Sequence, residues 1–138
     1  MVAMQAIHHV TLPVKDLERS IRFYTEVLGL KQIARPPFSF PGAWFEVGNQ
    51  QLHLTVGSSP LPNTESLRID TKARHVAFRV KNITEALTWL KERGYSEEST
   101  DPAFRLKINL ESVAGFPQIF LLDPDGHLLE INSESVAH

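Results

Sequence analysis

The segment HHVTLPVKDL, residues 8–17, has a second copy later in the chain, HVAFRVKNI at residues 75–83. When His9 is aligned with His75, valine, valine and lysine follow at matching positions in the two segments. A direct repeat inside one short chain indicates that one structural unit is built twice. The sequence therefore predicts two similar modules, each of which begins with a histidine.

The composition is typical of a single globular domain and excludes several classes of partner. The chain has 138 residues, of which 42% are hydrophobic and 22% charged; its net charge is −2, and it contains no cysteine. Basic residues are scattered, which argues against binding to nucleic acid or to an anionic membrane surface. No apolar run is long enough to cross a bilayer. We therefore expect a cytoplasmic protein in which any metal is bound by nitrogen and oxygen atoms.

The first module is predicted to cover about residues 6–57 and to begin with a strand. Residues 9–14 alternate between polar and apolar side chains, so His9 lies on the face opposite the apolar one. A helix is predicted over Leu17–Leu28, and Asp16 caps it.

The last strand of this module is predicted at residues 51–56, after a hairpin turn around Gly48 and Asn49. Its leucines and valine alternate with His53, which therefore lies on the noncore face, as His9 does.

The second module is predicted to cover about residues 73–134, after a linker at about residues 58–72 that is rich in Ser, Pro, Asn and Thr. Its first strand places His75 on one face. The helix that follows begins after the cap Asn82 and ends before Gly94.

The two modules end in similar strands, Leu-His-Leu at residues 52–54 and Leu-Glu-Ile at residues 129–131. The second of these follows a tight turn with the sequence DPDG. His53 and Glu130 therefore occupy equivalent positions in the repeat. Pairing of the modules about a pseudo-twofold axis would bring together four side chains, those of His9, His53, His75 and Glu130.

These features resemble the vicinal-oxygen-chelate superfamily, which includes glyoxalase I, fosfomycin-modifying thiol transferases, extradiol dioxygenases and methylmalonyl-CoA epimerase. Three segments carry the resemblance: HHVTLPVKDLERSIRFYTEVLGL (8–30), RHVAFRV (74–80) and IFLLDPDGHLLEI (119–131). The resemblance implies an α+β fold in which two tandem βαβββ modules form curved mixed sheets around a metal-binding cleft. It also implies a homodimer.

The resemblance further implies that three side chains bind a divalent metal, those of His9, His75 and Glu130. Two imidazoles and one carboxylate leave coordination positions open for a substrate. The implied activity is glyoxalase-like: adjacent oxygens of a small organic substrate bind the metal, and His53 or Glu130 moves a proton in an isomerase or lyase reaction. The metal could be Zn, Mn, Ni or Fe(II).

The role of His53 stays open, because glyoxalase I carries a carboxylate or an amide at that position. Metal contact, catalysis and packing are all compatible with an imidazole there. Five further side chains are candidates for contact with the substrate. Two arginines are able to neutralise a carboxylate, and two aromatic side chains are able to form apolar walls. The set is Thr11, Arg35, Trp44, Arg79 and Phe120.

Two other functions use the same residues differently. An Fe(II)-dependent extradiol-type dioxygenase would use the same two histidines and glutamate. A noncatalytic small-molecule-binding protein, similar to the bleomycin-resistance proteins, would use the aromatic side chains without a metal.

Overall fold

The computed structural model describes three parts of the chain, residues 1–57, 60–62 and 67–136. The contacts divide the chain into two compact units, Met1–Leu61 and Pro62–His138. Part of the linker predicted at about residues 58–72 lies outside the described residues.

The first unit has one four-stranded mixed sheet. Across this sheet the strand order is β1-β4-β3-β2, with β1 parallel to β4 and the other neighbours antiparallel. Parallel neighbours need a crossover connection, which here includes a helix. Along the chain the elements are β1 (His9–Pro13), α1 (Leu17–Arg22), β2 (Lys31–Ile33), β3 (Gly42–Val47) and β4 (Gln50–Thr55).

The first helix differs from the single α-helix that the sequence predicts. The α-helical part ends at Arg22, and a π-helical turn, Phe23–Val27, follows it. Both Phe23 and Tyr24 are buried, and the Tyr24 ring packs 5.9 Å from the ring of Phe45 on β3. The wider turn of a π-helix lets these two successive aromatic side chains face the core together.

The second unit repeats this arrangement. Its strand order is β5-β8-β7-β6, with β5 parallel to β8 and the other neighbours antiparallel. The amide oxygen of Asn82 accepts a hydrogen bond from the backbone N–H of Glu85, as the predicted N-cap requires. Along the chain the elements are β5 (His75–Arg79), α2 (Ile83–Glu92), β6 (Lys107–Asn109), β7 (Gln118–Leu122) and β8 (Leu128–Asn132), with a 3-10 turn at Pro102–Phe104.

The sheet of the second unit buries side chains on both of its faces. On one face lie Ile119, Leu129 and other apolar residues of the core. On the opposite face Phe120 packs with two apolar neighbours from β7 and β8. Two residues of the predicted linker, Leu67 and Ile69, pack against this second group. The end of that segment is therefore part of the folded unit.

The structure confirms the predicted fold class, an α+β fold of two tandem modules. The two three-residue strands β2 and β6 were not located from the sequence, and they give each module its βαβββ order. No helix in the described parts of the chain is long and apolar enough to cross a membrane.

Candidate metal and substrate site

The noncore face of the first sheet carries a row of predicted site residues. Thr11 on β1 pairs with His53 on β4, and His53 pairs in turn with Trp44 on β3. Because directly paired residues project to the same side of a sheet, these three side chains lie next to one another. His9 is one position further along the same face of β1 and pairs with Gln51.

The rings of His9, His53 and Trp44 form a continuous stack. The ring of His53 lies between those of His9 and Trp44, with centroid separations of 4.1 and 4.0 Å and interplanar angles of 18° and 2°. The residue is only 7% exposed. Outside the stack, Nδ1 of His8 lies 2.9 Å from Nδ1 of His9. The structure therefore brings two of the four repeated positions, His9 and His53, into direct contact.

The hydrogen bonding of His53 involves a residue that the sequence did not single out. Nε2 of His53 lies 2.8 Å from the amide oxygen of Gln51. A neutral ring that donates from Nε2 keeps a lone pair on Nδ1. Burial lowers the pKa of His53, and the nearby His9, His8 and Arg35 lower it further. The fold therefore favours the neutral imidazole.

Arg35 lies among the aromatic residues that precede β3. Its guanidinium carbon is 4.8 Å from the ring centroid of Phe38 and 5.0 Å from that of Phe40, and Nη2 donates to the Phe40 carbonyl at 2.8 Å. Its Nε is buried and finds no hydrogen-bond partner among the residues that the structure describes. The guanidinium packs against Gly42, where an added Cβ would lie 2.9 Å from both Nε and Nη2. The absence of a side chain at Gly42 makes room for this arginine.

In the second unit, the noncore face brings His75 and Glu130 into contact. Nε2 of His75 lies 3.1 Å from Oε1 of Glu130, and the two side chains are 25% and 6% exposed. The ring of Phe120 lies edge-on to His75, with centroids 5.8 Å apart. Phe120 also pairs directly with Glu130 across β7 and β8.

The donor set at this contact fits a divalent metal. Nδ1 of His75 lies 2.7 Å from the carbonyl oxygen of Ala73, which only accepts hydrogen bonds. A neutral His75 therefore donates there and directs the Nε2 lone pair at Oε1 of Glu130, which is itself an acceptor. Two acceptors at this distance need a proton or a metal cation between them. Metal-binding histidines commonly donate their other ring N–H to a carbonyl in this way.

The second oxygen of Glu130 is also engaged. Asn132 donates from Nδ2 to Oε2 of Glu130 at 2.6 Å, and Arg79 donates from Nε to Oδ1 of Asn132 at 2.5 Å. The guanidinium of Arg79 also lies 5.1 Å from the ring centroid of Phe116. Asn132 occupies the same face of β8 as Glu130.

Gln51 and Asn132 are the polar partners that the sequence interpretation did not assign to the site. Each lies two positions from a predicted site residue on the same strand, and this spacing places the two side chains on one face. That spacing is the only signal for them in the sequence.

The predicted ligands belong to different units, His9 to the first and both His75 and Glu130 to the second. Across residues 1–57, 60–62 and 67–136, no three histidine, aspartate or glutamate side chains are gathered as a metal-binding group. The structure therefore shows the contact between His9 and His53 in the first unit and the contact between His75 and Glu130 in the second. The complete ligand set stays a prediction.

Comparison with known protein families identifies the superfamily of this chain. A family model, the Glyoxalase/Bleomycin resistance protein/Dioxygenase superfamily, matches residues 6–131. The chain belongs to this superfamily. The resemblance inferred from the repeat is therefore confirmed, and it covers both units.

Two similar proteins match the chain over more than nine-tenths of their own length. Lactoylglutathione lyase of Escherichia coli O157:H7 is 29% identical over 132 residues, which cover 94% of this chain and 93% of that protein. A crystal structure of a glyoxalase family protein from Bacillus anthracis matches with a TM-score of 0.74 and 24% identity, over 96% of this chain and 98% of that one.

A third similar protein was solved with a metal. It is a glutamate-to-glutamine mutant of FosX, a genomically encoded fosfomycin resistance protein of Listeria monocytogenes, complexed with Mn(II) and 1S,2S-dihydroxypropylphosphonic acid. The TM-score is 0.67 at 20% identity, over 99% of this chain and 95% of that one. At this identity the likeness shows a common fold.

Proposed function

We propose that the chain is a glyoxalase-like metalloenzyme. It holds a divalent metal on His9, His75 and Glu130, binds a small organic substrate through two adjacent oxygens, and moves a proton in an isomerase or lyase reaction. The contact between His75 Nε2 and Glu130 Oε1, with Nδ1 of His75 held by a carbonyl, is the observation that carries this proposal. When bound, the metal supplies Lewis-acid polarisation of the substrate oxygens. Zn, Mn, Ni and Fe(II) all accept nitrogen and oxygen donors of this kind.

We assign the proton transfer to His53. Its Nε2 is engaged by Gln51, so the neutral ring offers a lone pair at Nδ1. The lowered pKa of His53 keeps the ring in this proton-accepting form at neutral pH. Glu130 was the other candidate for this role, but both of its carboxylate oxygens are engaged, by His75 and by Asn132. Glu130 is therefore better suited to holding the metal.

Five side chains are proposed to contact the substrate. The two arginines would pair with a carboxylate or another anionic group, and the two aromatic side chains would pack against its apolar part. Phe120 is next to Glu130, which we assign to metal binding, and Trp44 is next to His53, which we assign to proton transfer. The set is Thr11, Arg35, Trp44, Arg79 and Phe120.

The similar proteins support a small substrate and a metal. The relative from Escherichia coli is named for lactoylglutathione, and the Listeria structure contains Mn(II) together with a dihydroxylated phosphonic acid. Lactoylglutathione is therefore the first compound to test with this chain.

Metal analysis of the purified protein tests the proposal directly. We expect the wild type to contain about one divalent ion for each set of His9, His75 and Glu130, and we expect Glu130→Ala to lose the ion. Glu134→Ala is the matched control, because Glu134 is an exposed carboxylate on the residues that follow the same strand. Absence of stoichiometric metal in the wild type, or unchanged metal in Glu130→Ala, would refute the proposal.

Activity assays separate the proposal from the two alternatives. We expect metal-dependent conversion of lactoylglutathione or of a related thioester. Oxygen uptake with catechols under reducing conditions would instead indicate a dioxygenase. Equal affinity for a small ligand with and without a chelator, and no turnover, would indicate a noncatalytic binding protein.

We also propose that the enzyme works as a cytoplasmic homodimer. The absence of cysteine is compatible with a reducing compartment. If one metal site combines residues of two subunits, mixing inactive His9→Ala and Glu130→Ala subunits will restore part of the activity, because some hybrid sites contain all three ligands. If each site lies within one subunit, mixing restores none.

A further inference from the structure

We propose that Asn132 and Arg79 are positioning residues that fix the orientation of the Glu130 carboxylate. This inference rests on the proposed function, because it assigns the supporting residues of the same metal site. It starts from the hydrogen bonds that link these three side chains.

The orientation of the Asn132 amide follows from the chemistry of its neighbours. Nε of Arg79 is only a donor, so the atom that faces it 2.5 Å away must be the amide oxygen. The amide nitrogen then faces Oε2 of Glu130 at 2.6 Å. A flipped amide would place donor against donor at Arg79 and acceptor against acceptor at Glu130. Arg79 therefore sets which group Asn132 presents to the carboxylate.

The other end of this series of hydrogen bonds, at His75, is fixed in the same manner. The carbonyl of Ala73 only accepts, and it faces Nδ1 of His75. A turn holds this carbonyl in place, because the N–H of Ala73 donates to the Asp70 carbonyl at 2.9 Å and the N–H of Lys72 donates to the Asp70 carboxylate at 3.1 Å. An obligate donor at one end and an obligate acceptor at the other therefore fix which two atoms of the proposed metal ligands face each other, Nε2 of His75 and Oε1 of Glu130.

Because this contact is buried, water cannot easily take the place of Asn132 as the hydrogen-bond donor to Glu130. Glu130 and Asn132 are both buried. Without the Nδ2 donor, Oε2 of Glu130 loses a hydrogen bond in a place where water has little access, and the carboxylate is free to rotate. The side chain of Asn132 therefore acts on the metal through Glu130.

Metal affinity, measured by competition with a chromophoric chelator for Zn²⁺ and Mn²⁺, tests this role. We expect Asn132→Ala to raise the Kd about 10- to 100-fold, the usual effect of losing such a supporting partner. Asn132→Leu keeps the size of the side chain and removes the donor to Glu130 without adding a charge, so we expect a comparable loss. A Kd that is unchanged or lower in both variants overturns the inference and leaves the proposed metal site standing.

A double-mutant cycle tests whether Arg79 acts through Asn132. We expect Arg79→Gln to weaken metal binding, Arg79→Lys to weaken it less, and the double variant Arg79→Gln/Asn132→Ala to bind as Asn132→Ala does. Additive effects would show that Arg79 acts on the metal directly and would overturn its assignment as a positioning residue. Arg22→Gln, an exposed residue on α1, controls for the loss of one positive charge.

A measurement on metal-free protein keeps this inference separate from the proposed function. We expect the side-chain amide protons of Asn132 to exchange slowly with water by NMR, and to lose this protection in Arg79→Gln. If the wild type binds no metal but the amide is protected, the proposed function fails and the orienting contact stands. If the amide is unprotected, the orienting role itself is overturned.

Discussion

The imidazole of His53 is stacked on the indole of Trp44, with ring centroids 4.0 Å apart and planes within 2° of each other. The other face of the same imidazole contacts His9. A histidine that is packed on both faces has little freedom to rotate, so the position of its ring nitrogens is set by the sheet. Trp44 and His9 therefore determine how His53 is presented.

Trp44→Leu tests the energetic value of this stack. The substitution keeps an apolar side chain but removes the ring contact, so we expect the free energy of unfolding to fall by about 0.5–1.5 kcal/mol beyond the effect of lost area. Trp44→Phe should retain most of the stability. Urea denaturation measures both. Trp89→Leu is the control, because Trp89 is 42% exposed on α2, where its ring lies against the guanidinium of Arg93. An equal effect at both tryptophans would contradict the prediction.

His53→Gln separates catalysis from metal binding. If His53 moves the proton, we expect kcat to fall about 10²- to 10⁴-fold with unchanged metal content, since general bases contribute on this scale. His127→Gln is the control, because His127 lies in the turn that precedes β8 and is not one of the candidate site residues. Loss of metal together with activity would identify His53 as a ligand, contrary to our assignment.

Gly42→Ala is expected to destabilise the first unit and to displace Arg35. The new Cβ would lie 2.5 Å from the backbone oxygen of Leu54 and 2.9 Å from the guanidinium of Arg35. The arginine is able to move, but the strand backbone is not, so we expect a loss of about 1–3 kcal/mol. Thermal or urea unfolding measures it. Gly57→Ala is the matched control, because nothing lies within 4 Å of a Cβ added there. Equal stability of the two variants would be incompatible with this packing.

Phe120→Ala is expected to destabilise the second unit by about 3–5 kcal/mol, the usual cost of removing a buried phenylalanine. Phe120 is 2% exposed and packs with Leu67 and Ile69, which precede the first strand of the unit. We also expect faster proteolysis near residues 67–69 in this variant, because their packing partner is lost. Phe104→Ala, at a residue that is 41% exposed, is the control. Unchanged proteolysis in Phe120→Ala would show that the segment is held by other contacts.

Much of the fold was predictable because its signals are local. Helix α2 was predicted from its Asn82 cap and its terminal glycine, and the strand predicted at residues 51–56 is β4, Gln50–Thr55. Strands β2 and β6 were missed because three residues are too few to show an alternating pattern. The π-helical turn after Arg22 was missed because it depends on packing against the sheet.

The sequence by itself determined the strand phase, and with it the face of each candidate residue. Alternation with a period of two placed His9, rather than His8, opposite the core residues of β1, and it placed His53, His75 and Glu130 on the corresponding faces of their strands. This part needs only neighbouring residues, since the side-chain direction in a strand is a local property.

Only the tertiary structure decided which partners these side chains have. The hydrogen bonds of His53 with Gln51 and of Asn132 with Glu130 depend on side-chain rotamers, and the contact of Arg79 with Asn132 depends also on the register between β5 and β8, which are distant in sequence. A periodic pattern fixes a face but not a contact. For that reason the sequence indicated where the chemical groups of this protein lie, whereas the three-dimensional structure determined how each of them is held.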